Sequence, residues 1–250
     1  RMEQDVLTMG NQFKESKINK LEVTTIPVFL RKSQYDGETD LFEIARTHPS
    51  EANWLFSPAN QVWYNIGIPY YEGTRPMSMS GLPRNLSQYG KEFFVYHTHP
   101  KASELANIKN LRKDNPSITD LDKQIIAFGE RFYGIAASIP SIDDLAAQIS
   151  YQNIFHSLLL TCRIIYDYGI ISLSIAQEAL ANPNELLGRY NQLMPAIQDI
   201  DQVYAIKEIE SDWQYGITHR ESIKRATTNI INYLKNLTPN LNLHYKPAEQ

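Results

Sequence analysis

Cysteine is almost absent from this chain: among its 250 residues only Cys162 carries a thiol, within an apolar stretch typical of a buried core. An internal disulfide is therefore impossible. This composition fits a reducing compartment, so we expect a cytoplasmic protein. A zinc site built from several thiolates is excluded as well. Any zinc ion would be held by histidine and carboxylate side chains.

Long apolar runs and an excess of basic residues are also missing. No stretch approaches the roughly 18 apolar residues that a membrane helix needs, so we expect no membrane span. Four of the first five residues are polar, and the segment lacks an apolar core, so we expect no signal peptide. The formal net charge of -4 argues against a nucleic-acid-binding protein that relies on a basic face.

The chain does contain an apolar run, residues 93–96, that ends in the segment 97–100 (HTHP). On a β-strand, side chains at positions i and i+2 point to the same face, so His97 and His99 would lie side by side. Two imidazoles supply half of a tetrahedral zinc site. Pro100 has no N–H to donate to a sheet and ends the strand.

The rest of the sequence predicts a mixture of strands and helices. Before the histidines we expect a strand, a helix, two strands and a long loop, at residues 21–30, 39–47, 53–57, 61–68 and 69–91. After them we expect a long helix, a second helix starting after Ser141 and a hairpin, at residues 117–139, 142–152 and 157–175.

The sequence predicts that residues 177–250 form a helical region, which follows a domain that covers residues 1–176. Asn182 is an N-cap before Pro183, a second helix begins at Pro195, and Thr218 starts a capping box for a last helix that runs to about residue 237. Residues 238–250 are interpreted as a polar tail.

The segments 97–100 (HTHP) and 140–145 (PSIDDL) together resemble the signature of the JAMM/MPN zinc metalloproteases, in which a glutamate precedes H-[ST]-H-P and S-x-x-D. The resemblance covers roughly residues 20–176. It implies an α/β (α+β) fold with an MPN/JAMM-like mixed β-sheet flanked by helices. Residues 101–139 would then be a helical insertion, because the family separates the two motifs by far fewer residues.

The acidic ligand has two candidates. Ser141 and Asp144 are followed directly by the predicted hairpin, as the order of elements in the family requires. Ser117 and Asp120 belong to a segment of the same form, 116–121 (PSITDL), and lie closer to the histidines. Both pairs offer serine as a helix cap and aspartate in the first turn.

The position of the family's glutamate also leaves alternatives. Glu51 lies at the start of a predicted strand, where the resemblance places this residue, although the small residues and glycine that follow it in the family are not reproduced. The competing glutamates are Glu22, Glu43, Glu72 and Glu92.

The resemblance implies that His97, His99 and Asp144 bind Zn²⁺. Glu51 would act as general base and Ser141 as hydrogen-bond donor to the oxyanion. The expected reaction is hydrolysis of an isopeptide or peptide bond, with ubiquitin or a ubiquitin-like protein as substrate. Two other functions stay open: a catalytically inactive MPN-like scaffold for protein–protein interaction, and a metal hydrolase acting on another bond.

Overall fold

The computed structural model describes residues 31–32, 37–48, 51–65, 82, 85–101, 139–192 and 219–249. The described strands are β1 (Arg31–Lys32), β2 (Asn53–Ser57), β3 (Val62–Asn65), β4 (Glu92–Thr98), β5 (Leu159–Tyr166), β6 (Gly169–Ile175) and β7 (Leu241–Pro247). The described helices are α1 (Glu38–Thr47), α2 (Ile142–Ile154), α3 (helical residues 183–192) and α4 (His219–Leu237). Short 3₁₀ helices cover Leu86–Tyr89 and Gln177–Ala181.

All seven strands form one sheet in the order β1-β3-β2-β4-β5-β6-β7. The pair β4 and β5 is parallel, and the other neighbouring pairs are antiparallel. Parallel neighbours need a long crossover connection, and helix α2 lies in that connection. The histidine strand β4 therefore occupies the middle of the sheet, with α2 leading into the strand beside it.

Helices cover both faces of this sheet, because its central strands are apolar on both sides. On β5, Ile164 packs in the core that includes α2, α3 and α4, whereas Ile165 packs on the opposite face with Leu41 and Ala45 of α1. All four of these residues are completely buried. Burying an aliphatic side chain of this size contributes about 1.5–3 kcal/mol. These cores hold α1 and α2 in fixed positions on the sheet.

The expected mixed sheet flanked by helices is confirmed. The helix expected at 39–47 is α1, the strand expected at 53–57 is β2, and the hairpin expected at 157–175 is formed by β5 and β6. Helix α2 follows Ser141 as predicted, and α3 begins at Pro183.

The interpretation of residues 238–250 as a polar tail was wrong. Strand β7 pairs with β6 in antiparallel register from Gly169↔Pro247 to Ile175↔Leu241. Leu241 and Leu243 are buried in the core under α4, while Asn242 between them and His244 after them are exposed. Alternation of this kind is the pattern of a strand with one buried face. The expected helical C-terminal region thus ends in a strand of the main sheet.

Several predictions lie outside the described residues: the strand at 21–30, most of the loop at 69–91, the helix at 117–139 and the helix from Pro195. Among the helices that are described, none combines the length and the apolar character needed to cross a bilayer.

Candidate metal centre

The end of strand β4 brings the two histidines together, with His97 on the strand and His99 directly after it. The Nε2 atoms of His97 and His99 lie 3.2 Å apart, and the two side chains are almost completely buried. The chain leaves the sheet directly afterwards, with the His99 N–H donating to the carbonyl of Ile165 on β5. Two ring nitrogens therefore converge at the end of the central strand.

Helix α2 brings a carboxylate to the same point. Asp144 Oδ1 lies 3.0 Å from His97 Nε2, and Asp144 Oδ2 lies 3.4 Å from His99 Nε2. A capping box with Ser141 orients this carboxylate. The Ser141 N–H donates to Asp144 Oδ2 at 2.8 Å, and the Asp144 N–H donates to Ser141 Oγ at 3.1 Å. The bonds that begin the helix thus also aim Asp144 at the histidines.

The register between β2 and β4 places Glu51 at this site. Asn53 pairs with His97. One residue further along, the Thr98 N–H donates to the Ala52 carbonyl, and the Ala52 N–H donates to Thr98 Oγ1 at 2.9 Å. The next step puts the half-buried Glu51 opposite His99.

Together, Glu51, His97 and His99 could hold a metal ion. One ligand atom from each of the three side chains lies within 4.8 Å of the other two. Asp144 adds a second carboxylate in contact with both rings. Imidazole nitrogens with carboxylate oxygens are a donor set that suits zinc and other divalent transition metals. The buried polar residues therefore fit a bound cation.

Burial and neighbouring charge shift the pKa values of His97 and Asp144 in opposite directions. Burial alone would lower the pKa of His97, but the nearby Asp144 carboxylate outweighs it and raises the pKa of His97 well above its usual value. Burial alone would raise the pKa of Asp144, but His97 and, to a smaller degree, His99 hold the pKa of Asp144 well below its usual value. Without a metal, the pair is a buried ion pair whose positive charge a divalent cation can replace.

Two residues beside His97 were not singled out from the sequence as part of the site. Asn53, the cross-strand neighbour of His97, is 3% exposed, and its Nδ2 has no hydrogen-bond partner among the described residues. Cys162 on β5 is completely buried, and its Sγ lies 3.9 Å from His97 Nδ1. Their proximity to His97 follows from the strand register, which the sequence alone does not specify.

The alternative residues are placed less closely or lie outside the described part of the chain. Ser117, Asp120, Glu22 and Glu72 lie outside it. Glu43 is exposed on α1, and Glu92 is exposed at the opposite end of β4 from the histidines. Among the described candidates, Glu51 and Asp144 are the ones that approach His97 and His99, and Ser141 is bonded to Asp144.

Comparisons of the chain with protein-family models, curated proteins and solved structures gave no match.

Proposed function

We propose that the chain is a zinc-dependent metalloprotease with an MPN/JAMM-like fold, which hydrolyses isopeptide or peptide bonds of ubiquitin or a ubiquitin-like protein. One observation carries the proposal: two histidines from a strand and a carboxylate from a helix cap converge, and a second carboxylate lies opposite. The substrate class comes from the resemblance of the segments 97–100 and 140–145 to the family signature.

In this proposal His97, His99 and Asp144 hold the zinc ion. A set of three protein ligands is typical of catalytic rather than structural zinc sites. A zinc ion held by these residues would lower the pKa of water to roughly 7 and so would supply a nucleophile at neutral pH.

Glu51 is the proposed general base. Its position opposite His99 leaves it half-buried and close to both rings. From there its carboxylate accepts a proton from the attacking water and returns it to the departing amine.

Ser141 is the proposed donor to the oxyanion of the tetrahedral intermediate. The Ser141 oxygen already accepts the N–H of Asp144, but a hydroxyl still has its own proton to donate. The side chain is exposed, so a substrate can approach it. Donors of this type contribute about 3–4 kcal/mol to the transition state.

Specificity is assigned by hypothesis to the loop 69–91 and the insertion 101–139. His99 and Ser141, two residues before and two residues after the insertion, both belong to the site. The insertion is therefore connected to the fold at residues close to the proposed catalytic groups. A variant without residues 104–136 that cleaves the same substrates as the full chain would refute this assignment.

The proposal is tested by zinc stoichiometry and by cleavage of a panel of ubiquitin chains. We expect about one zinc per chain, and cleavage that is lost with a chelator and in His97→Ala. The matched control is His156→Ala, because His156 is exposed after the end of α2. A protein that binds no metal would instead be the inactive scaffold. A zinc protein that cleaves no ubiquitin chain would be a hydrolase acting on another bond.

A further inference from the structure

The thiol of Cys162 lies behind the histidine cluster. Cys162 pairs with Val95 in the parallel ladder between β4 and β5, so it lies on the same sheet face as His97 and one step before it. Its Sγ is 3.9 Å from His97 Nδ1. Among the described residues it is the hydrogen-bond partner of this nitrogen, while Nε2 of the same ring faces Asp144 and His99.

The two nitrogens of His97 therefore face two different environments. A neutral imidazole carries one proton, on either Nδ1 or Nε2. A ring that binds a cation through Nε2 must keep its proton on Nδ1. The group that accepts this proton fixes the tautomer and the direction of the ring, and ligating histidines are usually held in this way by a carboxylate, a carbonyl or water.

We propose that Cys162 is a positioning residue for metal binding: its sulfur accepts the Nδ1–H of His97 and so holds Nε2 toward the cation. This inference rests on the proposed metal function. A thiol suits the position because its sulfur can accept a hydrogen bond. In the metal-free protein, where the ring carries both protons, Nδ1–H still donates to the sulfur while the Nε2 proton faces Asp144. One uncharged group thus supports the ring with and without the metal.

A purely structural role for Cys162 makes different predictions, because a buried cysteine also fills space as a small apolar side chain. Cys162→Val fills the space without a hydrogen-bonding atom, Cys162→Ala leaves space, and Cys162→Ser keeps a group that accepts and donates. The matched control is Val95→Ala, since Val95 is completely buried beside Cys162 and has no polar atom to offer His97.

Zinc affinity of the purified metal-free chain of 250 residues, measured by competition with a chromogenic chelator, tests the proposal. We expect Cys162→Val and Cys162→Ala to bind zinc about 10–100-fold more weakly than the wild type, whereas Cys162→Ser and Val95→Ala stay within about threefold. Equal affinity in the wild type, Cys162→Val and Cys162→Ala would overturn the proposal while leaving the metal function intact. A wild type that binds no zinc would overturn both.

The tautomer of His97 provides a second measurement that a merely structural role would not move. In nitrogen-15 spectra of the zinc-loaded wild type we expect the His97 proton on Nδ1, with a resonance shifted by its hydrogen bond. The shift of this resonance should persist in Cys162→Ser and should be lost in Cys162→Val. An unchanged resonance in Cys162→Val would contradict the proposal even if one of the other variants failed to fold.

Discussion

Asp144 Oδ1 lies 3.0 Å from His97 Nε2, although one residue belongs to the first turn of a helix and the other to the end of a strand. The carboxylate is held from behind by the backbone N–H of Ser141. It therefore does not depend on a bound cation to find its orientation. A site arranged before its ligand arrives loses less conformational entropy on binding.

Ser141 has two separable roles, as helix cap and as proposed oxyanion donor. Ser141→Ala and Ser141→Gly both remove the hydroxyl, so each should lower kcat about 10²–10³-fold. Alanine should also destabilise the protein by about 1 kcal/mol, whereas glycine at an N-cap costs only a few tenths. Thermal unfolding and steady-state kinetics check this pair. A loss of kcat that is small in Ser141→Gly and follows the loss of stability would assign Ser141 to the cap alone.

Zinc binding should weaken as the pH falls. In the metal-free protein the raised pKa of His97 keeps the ring protonated at pH values where an ordinary histidine is neutral. Zinc needs the neutral ring, so binding releases the proton, and affinity falls about tenfold for each pH unit below that pKa. Calorimetry near pH 7 in two buffers of different ionisation enthalpy should reveal the release of about one proton per zinc. Identical apparent enthalpies in the two buffers would contradict the expectation.

Asn53 should be costly for stability and useful for activity. Its Nδ2 is buried without a hydrogen-bond partner among the described residues, which costs about 1–3 kcal/mol. Asn53→Leu, of similar size, should therefore stabilise the metal-free protein against urea by about 1 kcal/mol. Because the substitution also removes an amide donor beside His97, it should reduce kcat/KM. The matched control is Leu55→Val. Leu55 lies on the same strand and face as Asn53 but two residues further from the histidines. A less stable, fully active Asn53→Leu would show that the amide serves only the fold.

Gly169 allows strand β7 to approach the sheet. A Cβ at this position would lie 2.6 Å from the backbone oxygen of Lys246 and would clash with Cε2 of Tyr245. Gly169→Ala should therefore destabilise the protein by about 1–3 kcal/mol, as overpacking does. Ser172→Ala, on the same strand, should change stability by less than about 0.5 kcal/mol. Urea unfolding measures both. If the two variants were equally stable, β7 would not be docked at this distance.

The sequence predicted the local elements well because their signals are local. The alternation that places His97 and His99 on one face and the serine that begins α2 can each be read from a few neighbouring residues. Strand β7 had such a signal too, in the alternation of residues 241–243, but a short polar segment at the end of the chain resembles a tail. The choice between two similar S-x-x-D segments depends on tertiary contacts that no local pattern contains.

The remaining features of the site depend on strand register. Glu51 and Asn53 approach His97 and His99 only because β2 pairs with β4 at Asn53↔His97, and Cys162 does so only because β5 runs parallel to β4. A shift by one residue would turn each side chain to the other face of the sheet. Pairing between strands distant in sequence is a property of the assembled sheet.

The capping box couples the first turn of α2 to the position of the Asp144 carboxylate. If the first turn of this helix frays, the Ser141 N–H releases Asp144 and the contact with His97 is lost at the same moment. Amide hydrogen exchange at Asp144, whose N–H is bound to Ser141 Oγ, therefore reports the opening of the site directly. Any cation or partner that slows exchange of the Asp144 amide therefore stabilises the contact between Asp144 and His97, even if it binds elsewhere on the protein.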